Sequence, residues 1–221
     1  MKSKNTRILA LLPMAAALAV TPVSAASLIV NGSFEIGTHD SGSAHDAYLP
    51  DGWTGPAGYA WYWDGSLNAP ASQDGTRHMN LNNDTGLNTL SQSFTVGAGT
   101  EYTVSYWTVQ RGNGLMFTTL SVDAGAVTGA DAFVTGITGS GTSSINQLTV
   151  QGEPAWTQYG FTFTPDTAAT ATITLGNVYD GGTGDNDGVF LDNVSVTAIP
   201  EPTTALLGGL GLLALLRRRR A

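Results

Sequence analysis

Between residues 27 and 198 hydrophobic and polar positions alternate with a period of two. Tyr102, Val104 and Tyr106 alternate with Thr103 and Ser105, and Tyr159, Phe161 and Phe163 alternate with Gly160 and Thr162. Ala171, Ile173 and Leu175 alternate with Thr170, Thr172 and Thr174. Such alternation is the mark of a strand that buries one face and wets the other. Shorter runs predict strands at 28–30, 76–81, 90–94, 115–122, 145–150 and 189–196. Turn residues separate them: Gly97-Ala98-Gly99, Arg111-Gly112-Asn113-Gly114, Gly139-Ser140-Gly141 and Asp180-Gly181-Gly182. The middle of the chain shows no apolar stripe at helical spacing and no solenoid repeat. Many short strands between tight turns predict an all-β, antiparallel sandwich or barrel.

Both ends break this pattern. Lys2, Lys4 and Arg7 precede an apolar run from Ile8 to Val20, and Val23-Ser24-Ala25 or Ser24-Ala25-Ala26 supplies small residues after it. That order is the architecture of a secretory signal peptide over residues 1–26, cleaved by signal peptidase. At the other end Pro200-Glu201-Pro202 is followed by an apolar stretch from Ala205 to Leu216 and by Arg217, Arg218, Arg219 and Arg220. Pro202 suits the first turn of a helix, and Glu201 and the arginines complement the two ends of its dipole. A helix from Pro202 to Arg220 is about 28 Å long at ~1.5 Å per residue, enough to cross a hydrocarbon core of ~30 Å with snorkelling arginines. Gly208, Gly209 and Gly211 weaken it, so a transient anchor in the inner membrane is expected over 199–221. The β-sandwich is expected between the tails, at 27–198.

Charge sharpens this division. Seven of the nine positive side chains lie in the tails, leaving 16 acidic residues against Arg77 and Arg111 in the middle, a net of −14. A domain this acidic has no basic patch for nucleic acid. Most of the charge is read as serving solubility, although it also suits divalent cations. Cysteine is absent, so the fold has no disulfide to rely on.

The order Pro-Glu-Pro, apolar helix and arginine cluster at 199–221 resembles the PEP-CTERM sorting signal. The resemblance implies processing by exosortase, in bacteria that make exopolysaccharide, and delivery to the cell surface or extracellular matrix. A second resemblance rests on Asn31-Gly32-Ser33-Phe34-Glu35, Leu49-Pro50-Asp51-Gly52-Trp53 and the closing run from Gly188 to Val196. These segments resemble the galactose-binding-like jelly rolls of carbohydrate-binding modules. In that family a structural calcium often joins the first strand, a loop and the last strand. Carried over, Glu35 and Asp192 would be carboxylate ligands, Ser33 and Arg77 would offer carbonyls, and Asp74 would complete the loop, an oxygen set of the right chemistry for Ca2+. Without metal, Glu35 and Asp192 would instead be capped by backbone amides. Asp185-Asn186-Asp187-Gly188 lacks the spacing of an EF-hand loop and reads as a polar turn.

Trp53, Tyr59, Trp61, Tyr62 and Trp63 fall close together. Sugar rings present apolar C–H faces that stack on aromatic planes, and Asp64 could take a hydroxyl. Trp53, Tyr59, Trp61, Trp63 and Asp64 are therefore the candidate glycan platform, against the alternative that such rings fill the core. Catalysis has little support. His39, His45 and His78 are too few and scattered for a zinc signature, and no nucleophile elbow is present. The expectation is an exported, non-catalytic surface or matrix protein with a glycan-binding module. The alternatives are a purely structural or adhesive matrix protein and, behind it, a glycan-active enzyme.

Overall fold

The computed structural model describes residues 25–38, 45–46, 49–55, 61–63, 70–81, 88–111, 115–131, 137–138, 141–148, 155–178, 188–200, 208–212 and 216. The signal segment 1–24 lies outside them. One compact unit spans Ala25–Ile199.

Within that unit, and among the described residues, twelve strands form two sheets: β1 (His45–Asp46), β2 (Trp61–Trp63), β3 (His78–Asn80), β4 (Asn88–Val96), β5 (Tyr102–Arg111), β6 (Leu115–Val122), β7 (Val127–Asp131), β8 (Ile137–Thr138), β9 (Ser144–Leu148), β10 (Thr157–Pro165), β11 (Ala169–Val178) and β12 (Gly188–Ala198). One sheet has the order β1-β2-β3-β12-β5-β10-β7 and the other β4-β11-β6-β9-β8. Every pairing is antiparallel.

The alternating residues do what their period requires. Tyr102, Val104 and Tyr106 of β5, Tyr159, Phe161 and Phe163 of β10, and Ala171, Ile173 and Leu175 of β11 are all buried in one core cluster shared by the two sheets. The opposite face of β11 carries Thr172 and Thr174, whose hydroxyls pair with Ser93 at 2.8 Å and Ser91 at 3.0 Å across the register with β4.

Some expected strands are shorter. Residues 28–30 run beside β12 through one backbone bond, Leu28 N–H to Val196 O at 2.7 Å, without forming a ladder strand. The run at 76–81 narrows to His78–Asn80, because the residues before it form a turn held by carboxylates from elsewhere.

The last strand, β12, lies between β3 and β5 in the middle of the seven-stranded sheet. Its pairing with β5 shifts register between Asp192 and Ser195, with Asn193 left-handed at φ 47°. The opening segment returns to this irregularity: Val194 N–H bonds Gly32 O at 2.9 Å. A side chain at Gly32 would collide with that same Val194 carbonyl, which is why the Asn-Gly pair stands there.

Helix is described at 208–212 and 216. No helix among the described residues is long and apolar enough to cross a membrane. The residues of the sorting segment from Glu201 to Leu207 and from Arg217 to Ala221 lie outside the described set.

Candidate functional site

Glu35 and Asp192 meet the same loop, residues 71–77. Glu35 Oε1 accepts the backbone N–H groups of Thr76 at 2.8 Å and Arg77 at 2.7 Å, and its Oε2 accepts the Thr76 hydroxyl at 2.9 Å. Asp192, with no exposed surface, accepts Gln73 N–H and Asp74 N–H at 2.9 Å on one oxygen and Asn193 N–H at 2.7 Å on the other. Burial pushes the Asp192 carboxyl up from 3.8 to about 7, and the charge of Asp74 adds to it, while the three amides pull the other way.

These contacts test the calcium set. A calcium cage turns oxygens inward, whereas here five backbone N–H groups and a hydroxyl point at the two carboxylates. Asp74 contributes its amide to this cluster and is itself exposed. Among the described residues no three His, Asp or Glu side chains gather closely enough to hold a metal. Glu35 and Asp192 thus have the partners expected of amide-capped carboxylates. The loop is clamped to both ends of the domain by hydrogen bonds.

The aromatic candidates separate. Trp53 is 5% exposed, belongs to the core cluster, lies 5.4 Å from the Phe34 ring and donates its indole N–H to Asn31 O at 3.0 Å. It is a core residue and not part of a sugar platform; the turn Pro50 to Trp53 folds its ring inward to cover Phe34. Trp61 and Trp63 are on β2, where the register sets them opposite Asn80 and His78. Tyr59 and Asp64 lie outside the described residues, as do Asp185, Asn186 and Asp187.

That register defines the outward face of the seven-stranded sheet. Met79 points into the core, so His78 and Asn80 face the other way. Phe190 lies opposite Asn80 and Val109, and Asp192 lies opposite Trp107, which in turn lies opposite Gln158. Phe190 and Val109 are buried yet stand outside the main core cluster. They belong to a second, outward apolar group.

His78 is its centre. Its ring meets Phe190 edge-on at 5.2 Å and Trp156 edge-on at 5.7 Å, and its Nδ1 lies 3.0 Å from the Ser72 hydroxyl. Trp156 donates its indole N–H to Ala71 O at 2.7 Å. Trp107, Trp156 and Gln158 are each half-buried. The loop clamped by Glu35 and Asp192 thus also steadies Trp156 and His78. Sequence reasoning missed Asn80, Trp107, Trp156 and Gln158, which come from three separate parts of the chain. The one local signal was Trp107, out of phase with the buried residues of its own strand.

Comparison with characterised proteins finds no match to the chain. Among solved structures, TmCBM61 in complex with β-1,4-galactotriose superposes with a TM-score of 0.50 at 17% identity, covering 79% of this chain and 99% of that one. The arabinose-bound MgGH51 α-L-arabinofuranosidase gives 0.49 at 13% identity, over 79% of this chain and 27% of that one. The enzymatically active domain of bacteriophage CBA120 tailspike protein 4 gives 0.48 at 12%, over 78% of this chain. This chain spans about a fifth of that protein's length, 21%. The likeness is one of fold, a β-sandwich of the carbohydrate-binding-module type. Residues 198–220 match the PEP-CTERM protein-sorting motif. The motif implies export, processing by exosortase and sorting to the cell surface. The chain therefore carries a PEP-CTERM sorting signal behind a β-sandwich whose structural neighbours include a carbohydrate-binding module.

Proposed function

We propose that this is a non-catalytic surface protein whose sandwich binds neutral glycans, such as an exopolysaccharide of the matrix, on the outward face of the seven-stranded sheet. The observation that carries the reading is the second apolar group there. Trp107 and Trp156 are half-buried and outside the core cluster; Trp156 packs against His78, which packs against Phe190, and Trp107 lies on the same face opposite Asp192. Half-buried tryptophans on a sheet face leave apolar ring area exposed, which is favoured at binding surfaces. The register adds positions 61 and 63 to the same face. With a net charge of −14 between residues 26 and 199, an anionic chain is repelled and a neutral one is not.

Full-length protein titrated with soluble neutral polysaccharides (β-1,4-galactan, xylan, mixed-linkage glucan) tests this. Saturable binding that Trp107→Ala and Trp156→Ala each weaken at least tenfold supports it. Binding that neither substitution changes removes the face from the account. The burial of Trp53 favours a second reading for its own part of the chain, a purely structural one.

A further inference from the structure

We infer that Asn80 is the residue that selects the ligand of the outward face, its side-chain oxygen accepting a hydroxyl donated by the bound sugar. This rests on the glycan reading and deepens it.

Asn80 keeps 8% of its surface exposed, and its Oδ1 is buried with no hydrogen-bond partner among the described residues. A buried polar atom without a partner is rare in a native fold, since its lost hydration is not made good. Asn80 is the last residue of the three-residue strand β3.

Phe190 lies opposite Asn80 on β12 and has no side-chain donor. Position 61 lies opposite it on β2. Two residues away, His78 engages Ser72 through Nδ1 and two aromatic rings through its edges. Asn80 therefore stands on the aromatic face, opposite Phe190.

Among the described residues, the other buried oxygen without a partner, Thr118 Oγ1, belongs to β6 of the five-stranded sheet. Asn80 alone of the two stands on the aromatic face. Local rules broken without compensation mark functional positions. An acceptor in a dry, aromatic surrounding is matched by a ligand that brings both a donor and an apolar ring face, which is the chemistry of a neutral sugar. An acceptor also discriminates strongly, because a ligand lacking the matching hydroxyl leaves it unpaired.

The test compares full-length wild type with Asn80→Leu, which keeps the size and removes the acceptor. On the neutral polysaccharides named above, Asn80→Leu is expected to raise Kd at least tenfold. Its thermal midpoint is expected to stay level or to rise by about 2–4 °C, since an unsatisfied group has been removed. A structural role would instead lower the midpoint, and that result overturns the inference. Wild-type binding retained unchanged in Asn80→Leu also overturns it and leaves the glycan reading standing. A wild type that binds none of the panel overturns the glycan reading, and this inference with it. Should Asn80→Leu not fold, the side-chain amide signal of Asn80 in wild type provides the second measurement. A shift of that signal on saturation with the bound glycan supports the inference, and no shift overturns it.

Discussion

The carboxylate of Asp192 accepts the backbone N–H of Asp74 at 2.9 Å, linking the last strand to a loop 118 residues earlier. Glu35, from the opening segment, holds the same loop at Thr76 and Arg77. Both ends of the domain therefore converge on residues 73–77. The same loop provides Ala71 O to Trp156 and the Ser72 hydroxyl to His78. Closure of the fold and placement of the aromatic face depend on one short segment.

Asp192 makes stability depend on pH in an unusual direction. Burial raises its carboxyl from 3.8 to about 7. Between those values the unfolded chain has released the proton and the folded chain still holds it. The folded state then binds more protons, so stability falls as pH rises through that window and levels off above it. At about 1.4 kcal/mol per unit the total is on the order of a few kcal/mol. Asp166 acts elsewhere. The Ala126 amide and the Thr167 hydroxyl lower its pKa, so its contribution is present above 3.8 and is lost only as pH falls below that. Urea midpoints measured from pH 5 to 8 should decline for wild type and stay nearly flat for Asp192→Asn. A wild-type midpoint that rises over this range would contradict the assignment.

Amide capping and calcium binding differ under chelation. Because N–H groups occupy the carboxylates, a chelator should leave the thermal midpoint of the purified protein unchanged, and added Ca2+ should not raise it. A fall of several degrees on chelation would restore a cation to Glu35 and Asp192. In either case Gly75→Ala should destabilise. Gly75 has φ +66°, and an added Cβ would meet the Glu35 carboxylate, so strain and a displaced cap together should cost about 1–3 kcal/mol.

How far the sequence discloses this can be followed residue by residue. β6 coincides with the expected run at 115–122, because alternation and burial agree there. That Glu35, the Asp74 loop and Asp192 stand near one another was implied by the resemblance to galactose-binding-like jelly rolls, not by the residues alone. The polarity of their bonds was not, since a carboxylate looks alike to a cation and to an amide. Trp107 and Trp156 were not legible as members of one face with His78. Their shared face depends on the register of β5 against β12, which shifts at Asp192 and Ser195, and on a tertiary bond to Ala71. Trp53 misled because composition counts aromatic rings without telling which way a turn points them.

Trp53 and Trp156 should therefore respond oppositely to truncation. Trp53→Ala empties a core site against Phe34 and should lower stability by about 3–5 kcal/mol, with little change in glycan affinity for the fraction that folds. Trp156→Ala should weaken glycan binding and cost far less stability, since the ring is half-buried. Denaturation midpoints and glycan titrations of the two variants, measured side by side, check this. Equal stability losses would show that Trp156 is a core residue as well.

The sorting signal makes the last prediction. Residues 198–220 match the motif as a unit, and Pro200 stands directly after the compact unit that ends at Ile199. Ile199 N–H bonds Glu101 O at 2.8 Å, so the fold holds the chain up to the residue before the Pro-Glu-Pro sequence. A processing enzyme that reads Pro200, Glu201 and Pro202 would therefore act next to a folded domain, without unfolding it. Replacing these three residues with alanine should leave export and removal of residues 1–25 or 1–26 intact. It should also block C-terminal maturation, so that the protein accumulates in the membrane fraction at its longer length. The apolar stretch and the four arginines are untouched in that variant, so any anchor they form is retained. Fractionation with mass measurement of both termini distinguishes the outcomes. Unchanged C-terminal processing and surface delivery would show that the tail serves as an anchor alone, with no role for the Pro-Glu-Pro sequence in recognition.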